Sequence, residues 1–260
     1  MKLFNKIFAL LLICMNLSVS ANDHTENQWI SLFDGKTIDD WVPKFVGHKA
    51  GVNYKNTFRV EDGLLSVNYD QYEKFAGEFG HLFYQTPYSH YVLKATYRFL
   101  EPQLELEKSM SWALRNNGFM IHSQPVETMD LMQSFPTSIE VQLLGGTGVG
   151  ERSTGNICTP DSDVVIAGKL VTAHCIYSSS KTFHGDQWVT IEIEVRGDEV
   201  IKHTVNGELV FEYTQPQLSD DSEKLTKLYQ GKAMKSGYIA IQAETHPTQF
   251  KSIELKVLAE

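Results

Sequence analysis

The order of apolar and polar residues along the chain predicts a mostly β protein. Apolar side chains recur at every second position through long stretches, and no heptad or longer repeat is present. Asp62-Gly63 and Asn206-Gly207 suit hairpin turns, because both central residues of such a turn need positive φ. The predicted strands cover residues 57–60, 64–69, 91–99, 118–122, 138–143, 188–196, 200–205, 208–213, 237–244 and 250–257.

Many strands without alternating helices favour an all-β sandwich or jelly roll over a parallel α/β sheet. A single short helix is predicted within residues 222–234. No linker rich in Pro, Gly or Ser divides the chain, so residues 22–260 are predicted to form one domain. The long loops predicted at 145–181 and 215–236 are candidate rims of a binding cleft.

The first 21 residues follow a different pattern. Lys2 and Lys6 precede an apolar run over residues 7–15, which is far shorter than the roughly 20 residues needed to span a bilayer. Small residues lead to Ala21, and polar residues begin at Asn22. We therefore predict a signal peptide over residues 1–21 and export to the periplasm or the extracellular space, with a buried N-terminal helix as the alternative.

The charge balance narrows the range of partners. The chain has 23 Lys and Arg against 32 Asp and Glu, a formal net charge of −9. Cleavage after Ala21 would remove two lysines and no acidic residue, which leaves −11 over 239 residues. Such acidity disfavours both nucleic acid and an anionic membrane surface as partners.

Two cysteines, Cys158 and Cys175, remain in the predicted mature chain. An exported protein can oxidise this pair, and the intervening segment is rich in Gly, Ser, Thr and Asp. A disulfide closing a loop of about 17 residues would stabilise the fold by about 3 kcal/mol. We predict this disulfide, and two separate buried thiols are the alternative.

Side chains alternate across a strand, so residue parity separates a core face from an open face. Parity places six polar side chains on open faces, and these are Gln142, Glu140, His122, Gln242, Glu244 and His246. If their strands are neighbours, the carboxylates and imidazoles converge, which suits proton transfer or one divalent metal ion. The alternatives are an ordinary solvated face for the strand of Glu140 and hydrogen-bonded surface positions for the histidines.

Other candidates carry weaker patterns. Glu192 and Glu194 alternate with apolar residues and are predicted to lie on a solvated convex face. His174 and His184 lie in the predicted loop near Cys175 and are candidates for a cleft rim. Three large side chains could stack on a sugar or lie in the core, namely Trp112, Arg115 and Trp188.

Several short motifs, in order, resemble those of one known family. The opening WISLFDGK (29–36) followed by Trp41 resembles the start of the 3-keto-glycoside lyase/hydratase family, also called DUF1080 or 3-keto-disaccharide hydrolases. The later landmarks also agree, and they are FRVEDGLL (58–65), NGFMI (117–121), IEVQL (139–143), GNI (155–157), DQWV (186–189), GYIAIQ (237–242) and FKSI (250–253). The resemblance extends over residues 29–257.

This resemblance implies a concanavalin A-like jelly roll of two antiparallel sheets, with a 3-keto sugar as the ligand. It also implies a reaction in which a 3-keto-glycoside loses its C2 proton, expels the glycosidic oxygen and adds water. The implied catalytic residues are Glu140, His246 and His122, and one divalent metal ion could be held by Glu140 and His246. The implied substrate-binding residues are Gln142, Gln242, Glu244, Asn117, Arg115 and Trp188.

Two other functions compete with this expectation. The first is a non-catalytic, lectin-like carbohydrate-binding module, since a fold by itself does not determine function. The second is a retaining glycosidase, which needs two carboxylates about 5–5.5 Å apart. The strand of Glu140 disfavours the second function, because its next outward residue is Gln142 and an amide serves as neither nucleophile nor acid.

Overall fold

The computed structural model describes residues 28–219 and 223–260, and the predicted signal peptide lies outside the described residues. Within them the all-β prediction is confirmed by two antiparallel sheets. The strands are β1 (Trp29–Ser31), β2 (Trp41–Phe45), β3 (Phe58–Glu61), β4 (Leu64–Val67), β5 (Gly80–Tyr84), β6 (His90–Phe99), β7 (Asn116–Ser123), β8 (Ile139–Leu144), β9 (Asn156–Cys158), β10 (Ser162–Ile166), β11 (Lys169–Val171), β12 (Cys175–Ile176), β13 (Val189–Arg196), β14 (Val200–Val205), β15 (Glu208–Leu218), β16 (Tyr238–Ala243) and β17 (Thr248–Val257).

The two sheets differ in size. The larger sheet runs in the order β11-β10-β15-β14-β13-β6-β17-β4-β3, with β1 paired to β17. The smaller sheet runs in the order β12-β9-β8-β7-β16-β5-β2. One α-helix, α1 (Glu223–Leu228), lies within the predicted helical segment, and the short 3₁₀ helices cover Tyr54–Asn56, Lys108–Ala113 and Val126–Thr128. Among the described residues, no helix is both long and apolar enough to cross a membrane.

The core lies between the facing surfaces of the two sheets. Every second side chain of β6 and β13 is buried there, and β8 supplies Ile139, Val141 and Leu143 from the smaller sheet. Burial of each large apolar side chain contributes about 1.5–3 kcal/mol, so this shared layer holds the sheets together. The other face of the smaller sheet is consequently free to carry polar groups.

All ten predicted strands are present, with their ends shifted by at most a few residues except at β15. Positive φ at Asp62 and Asn206 confirms the two predicted hairpin turns. The prediction of one long loop over residues 145–181 is wrong, because this segment contains the four strands β9 to β12. Three of these strands have only two or three residues, which is too short for alternation to be recognised, and the five-residue β10 (SDVVI) has adjacent rather than alternating apolar residues.

Candidate active site

A cleft of about 1570 Å³ lies on the face of the smaller sheet that points away from the core. Its floor includes Glu140 and Gln142 of β8, and Glu244 borders it just beyond β16. Its walls come from the segments around Trp112, residues 150–153 and residues 174–184. The predicted rim at 145–181 therefore does border a cleft, although much of it is strand.

Strand register aligns polar residues in one row across this face. Lys44 lies opposite His81, and His81 lies opposite Gln242. Gly118 lies opposite Gln142, which in turn lies opposite Asn156. The Asn156 side-chain amide donates a hydrogen bond of 3.2 Å to Gln142 Oε1, so part of the row is already internally bonded.

Gly118 leaves the space in which the central side chains of the site meet. A Cβ atom at this position would lie 2.7 Å from Gln242 Oε1 and 3.1 Å from Glu140 Oε1. Real Cβ atoms do not approach so closely, so any larger residue would displace one of these groups. The absence of a side chain at Gly118 thus allows Glu140 and Gln242 to lean toward each other from strands on either side of β7.

Burial makes Glu140 a weak acid. Only 5% of its surface is exposed, and its cross-strand neighbours are Met120 and Cys158, which carry no positive charge. Desolvation therefore raises the pKa of Glu140 to about 8, while the nearby Gln242 amide has a smaller lowering effect. Gln242 exerts this effect without a hydrogen bond of regular geometry.

Glu244 is electrostatically linked to Glu140. Burial and then the charge of Glu140 raise the pKa of Glu244 well above its usual range. Because both pKa values are raised, the pair keeps at least one proton near neutral pH, and when Glu140 ionises its charge helps to keep Glu244 protonated. The pair can therefore act as an acid and a base at the same time.

Several buried polar atoms beside this pair have no hydrogen-bond partner in the described structure. They are both side-chain heteroatoms of Gln242, Glu244 Oε2 and Asn116 Oδ1. Buried polar groups are usually satisfied, because an unpaired one costs free energy on folding. These four are among ten such atoms in the described residues, and their position beside the cleft floor favours a site that a polar ligand completes.

The structure therefore brings together four of the predicted site residues, namely Glu140, Gln142, Gln242 and Glu244. Asn117 plays a different part, since it is fully buried and does not line the cleft. Its amide nitrogen donates a hydrogen bond of 2.9 Å to the Gln242 backbone carbonyl. Asn117 thus positions the strand that carries Gln242.

The prediction that His122 shares the face of Glu140 is wrong. Met120 pairs with Ala240 but Ser123 pairs with Tyr238, so β7 contains one extra residue at this point. His122 has a φ of 48°, and this bulge reverses the parity of the strand. The His122 imidazole Nε2 consequently lies 2.9 Å from the Gly197 carbonyl oxygen, in the turn between β13 and β14 of the larger sheet.

His246 also lies apart from the cleft lining, contrary to the predicted convergence. It follows a bend after β16 in which Thr245 has a φ of 97°, so strand parity no longer applies. Its Nδ1 is 2.8 Å from Gln103 Oε1, and its ring packs edge-on against Phe99. Burial lowers the pKa of His246 to about 3, with a further lowering from Arg115.

Of the remaining predicted sugar-contacting or rim residues, some line the cleft and others lie outside it. Trp112 lines the cleft, as do His174 and His184. Arg115 is buried outside it, with an ion pair of 2.6 Å to Glu101. Trp188 packs under the guanidinium of Arg98, which belongs to β6 of the larger sheet. The predicted roles of Arg115 and Trp188 in sugar contact therefore do not follow from their positions.

The predicted disulfide between Cys158 and Cys175 is confirmed. It joins β9 to β12, and Cys158 lies directly opposite Glu140 in the sheet register. Both cysteines line the cleft. The disulfide therefore attaches the segment that carries His174 to the strand beside Glu140.

The predicted metal ligands do not form a suitable donor set. His246 contacts Gln103 and Phe99 rather than Glu140. In the part of the chain that the structure describes, no group of three or more His, Cys, Asp or Glu side chains could hold a metal ion. These residues do not fit a protein-held divalent metal.

Two cleft residues were missed by the sequence reasoning. Asn116 directly precedes the NGFMI motif. It is two residues before Gly118, so strand parity, extended by two residues, would have placed it on the same face as Gly118. Arg152 lies in a segment without periodic pattern, so only the tertiary structure reveals it.

Among curated proteins, none matches the chain. Two structures from Parabacteroides distasonis ATCC 8503, each named as a candidate glycosyl hydrolase, are similar to it. The first has 18% identity, a TM-score of 0.52 and coverage of 89% of this chain and 94% of the other. The second has 15% identity, a TM-score of 0.53 and coverage of 89% and 100%.

A protein of unknown function with a galectin-like fold, from Bacillus subtilis, matches with 9% identity and a TM-score of 0.50, covering 85% of this chain and 92% of the other. At such identities these structures support the jelly-roll fold alone. The family profile described as the 3-keto-alpha-glucoside-1,2-lyase-like domain matches residues 28–256, nearly all of the described chain. The protein therefore belongs to this family of carbohydrate-active domains.

Proposed function

We propose that this protein is an exported enzyme that cleaves 3-keto-glycosides by β-elimination followed by hydration. The observation that supports this most directly is the buried pair Glu140 and Glu244 in the cleft, with raised pKa values and the unpartnered amide of Gln242 beside it. Family membership supports the same class of substrate.

The first step needs a base close to C2 of the sugar. The ketone at C3 acidifies the C2 proton, but this proton remains far less acidic than a carboxylic acid. A carboxylate whose pKa is raised to about 8 removes it more readily than an ordinary carboxylate, because basicity rises with pKa. Glu140 is assigned this role.

The same step needs an acid and an electrophile. As the C1–O bond breaks, the leaving oxygen takes a proton, and Glu244 is assigned as donor because its pKa stays high while Glu140 is charged. Negative charge develops on the C3 oxygen, and the free Nε2 of Gln242 is available to donate a hydrogen bond there. The products are an alcohol and a 3-keto-2-hydroxy-glucal.

Hydration runs the same proton transfers in reverse. Glu244, now ionised, removes a proton from water as the water oxygen bonds to C1. Glu140, now protonated, returns its proton to C2. The net reaction consumes one water and yields the free 3-keto sugar and the alcohol, with both carboxyl groups back in their starting states.

The test compares a 3-keto-glucoside with the matching glucoside that has an ordinary C3 hydroxyl. Purified protein should release the alcohol from the keto substrate only, with transient glucal absorbance. Glu140→Gln should lower kcat by about 10²–10⁴-fold, the usual range for loss of a general base. Glu192→Gln, on the larger sheet, is the matched control and should retain activity. An unchanged rate in Glu140→Gln would remove that residue from the mechanism.

A second candidate function is direct hydrolysis of ordinary glycosides, which the pairing of two carboxyl groups favours. The second carboxyl group does not come from the strand of Glu140, where Gln142 is the next outward residue, but from Glu244, just beyond the end of β16. Release of alcohol from the ordinary glucoside would support this second function. Sugar binding without turnover of either substrate would support the lectin-like alternative.

A further inference from the structure

Arg152 is a cation in the cleft wall without an acidic partner. It is half-buried and lines the cleft. None of the ion pairs among the described residues includes it. Glu151 and Glu208 also line the cleft, but neither lies within ion-pair distance of the guanidinium. Desolvation and then the charge of Arg115 lower the pKa of Arg152, so holding the positive charge at this position costs free energy.

The guanidinium is held rigidly by backbone carbonyls. Its Nη1 donates to the carbonyl oxygens of Gly145 at 2.6 Å and Arg115 at 3.2 Å. Its Nη2 donates to the Trp112 carbonyl oxygen at 3.4 Å. These bonds leave Nε without a hydrogen-bond partner among the described residues and use one of the two hydrogens of Nη2. The edge of a guanidinium that carries Nε and Nη2 is a two-donor fork, which matches the two oxygens of a carboxylate.

An aromatic surface lies next to this fork. Trp112 is 47% exposed, and its ring stacks on Phe79 with centroids 6.1 Å apart and planes 22° from parallel. Phe135 packs against Phe79 and also lines the cleft. Since Phe79 supports one side of the Trp112 ring, the exposed part is available to stack on a flat ring of a ligand.

This corner of the cleft is separate from the carboxyl pair. Arg152 binds the carbonyl of Gly145, which follows Leu144 at the end of β8. Leu144 is four residues along the strand from Glu140, a span of roughly 13 Å. A ring held by Trp112 and Arg152 is therefore a neighbour of the ring that reacts at Glu140.

We propose that Trp112 and Arg152 form a subsite for a uronic acid ring next to the ring that reacts at Glu140. Trp112 stacks on the ring, and the fork of Arg152 binds the carboxylate. The proposal rests on the proposed function for the position of the reacting ring, whereas the binding preference itself is measured without any reaction.

The test uses calorimetric titration with a glucose disaccharide and with its two acidic forms, in which C6 of either the reducing-end or the non-reducing ring is oxidised to the uronic acid. The acidic probe is the form that binds more tightly. None of these sugars has a 3-keto group. Wild-type protein should bind the acidic probe about tenfold more tightly, as expected for one charge-assisted bidentate contact. Salt should reduce this preference. In Arg152→Gln the ratio of the dissociation constants for the neutral and acidic probes should fall to about one, and Arg152→Lys should give an intermediate ratio.

Arg196→Gln, on the larger sheet, is the matched control and should retain the full preference. A thermal unfolding scan of Arg152→Gln checks that the cleft wall remains folded, and the salt dependence of the wild type tests the charge without any substitution. Equal or absent binding of the neutral and acidic probes by the wild type would overturn the subsite, as would a preference retained in Arg152→Gln. A preference for the acid in a protein that leaves 3-keto-glucosides intact would instead count against the proposed function alone.

Discussion

Two strands of this protein carry the same pattern and yet place glutamates in opposite electrostatic environments. In β8, Glu140 stands between Ile139 and Val141, and in β13, Glu192 stands between Ile191 and Ile193. Each glutamate points away from the core. The neighbouring strands then decide the outcome.

Glu192 lies opposite Lys94 of β6, with a distance of 3.3 Å between the charged atoms, and about a third of each side chain is exposed. The predicted solvated face of Glu192 and Glu194 is thereby confirmed. Glu140 instead has Met120 and Cys158 as neighbours and shares its cleft with Glu244. Alternation can show that a carboxylate faces outward, but only the adjacent strands determine whether it is neutralised, hydrated or held as a weak acid.

The largest expected effect is that of removing the Cys158–Cys175 disulfide, which lies beside Glu140. Removing the disulfide with the double substitution Cys158→Ala and Cys175→Ala should lower the free energy of unfolding by about 3 kcal/mol, because the oxidised loop restricts the unfolded chain. Urea denaturation of oxidised protein and variant measures the difference. A strong reductant should weaken the wild type and leave the variant unchanged. A difference below about 1 kcal/mol would show that the cleft wall is held by other contacts.

The next effect is the pH dependence of stability. The folded pKa of Glu140 is about 8 against an ordinary value of 4.5, so the folded state favours the protonated carboxyl. Its contribution is fully present below about pH 4.5 and is lost as pH rises toward 8. Glu140→Gln should therefore be more stable than wild type at pH 8.5, by at least about 1 kcal/mol, and this advantage should vanish at pH 4.

Denaturation curves at the two pH values provide the measurement for this comparison. Glu192→Gln should differ from wild type by no more than about 0.5 kcal/mol at either pH, since exposed ion pairs contribute little. If Glu140→Gln and Glu192→Gln gave the same pH dependence, the electrostatic contrast between the two sheets would be wrong.

A third experiment adds a methyl group at Gly118, in the space where Glu140 and Gln242 meet. Gly118→Ala should lower kcat/KM by about tenfold or more, because the new methyl group displaces Gln242 or Glu140 by some tenths of an ångström. Stability should fall only modestly, since two of the three contacted atoms are terminal side-chain oxygens, although Glu140 Cγ at 3.1 Å must also shift. The same substitution in a Gln242→Ala background should have a smaller additional effect, because the two changes act on one contact. Strictly additive losses would indicate that Gly118 acts elsewhere.

The smallest expected effect concerns the ion pair between Lys94 and Glu192 on the larger sheet. Lys94→Met should change the free energy of unfolding by less than about 0.5 kcal/mol, because the ion pair with Glu192 is partly exposed and screened by salt. Thermal unfolding at low and high salt measures it. A loss above about 1 kcal/mol would show that the outer ion pairs contribute more than solvent exposure allows.

Much of the architecture follows from local patterns. Alternation identified ten of the seventeen strands found in the described residues, the two hairpin turns follow from Asp62-Gly63 and Asn206-Gly207, and the cysteine pair indicated the disulfide. Parity also placed Glu140, Gln142 and Gln242 on the outward face, because regular strands repeat every two residues. These features depend on near neighbours along the chain, so the sequence alone was sufficient for them.

The arrangement of the site depends on local irregularities and on long-range contacts, which the two-residue sequence pattern does not show. One extra residue in β7 turned His122 toward the larger sheet, and a bend after β16 carried His246 out of the cleft lining. Both irregularities break the two-residue period on which parity relies. The meeting of Glu140 with Glu244, and the position of Arg152 beside Trp112, arise from strand order and from contacts between distant segments. The sequence by itself thus determined the sheets and their outward residues, whereas the tertiary structure decided which charges face one another, because electrostatic interactions follow distance in space.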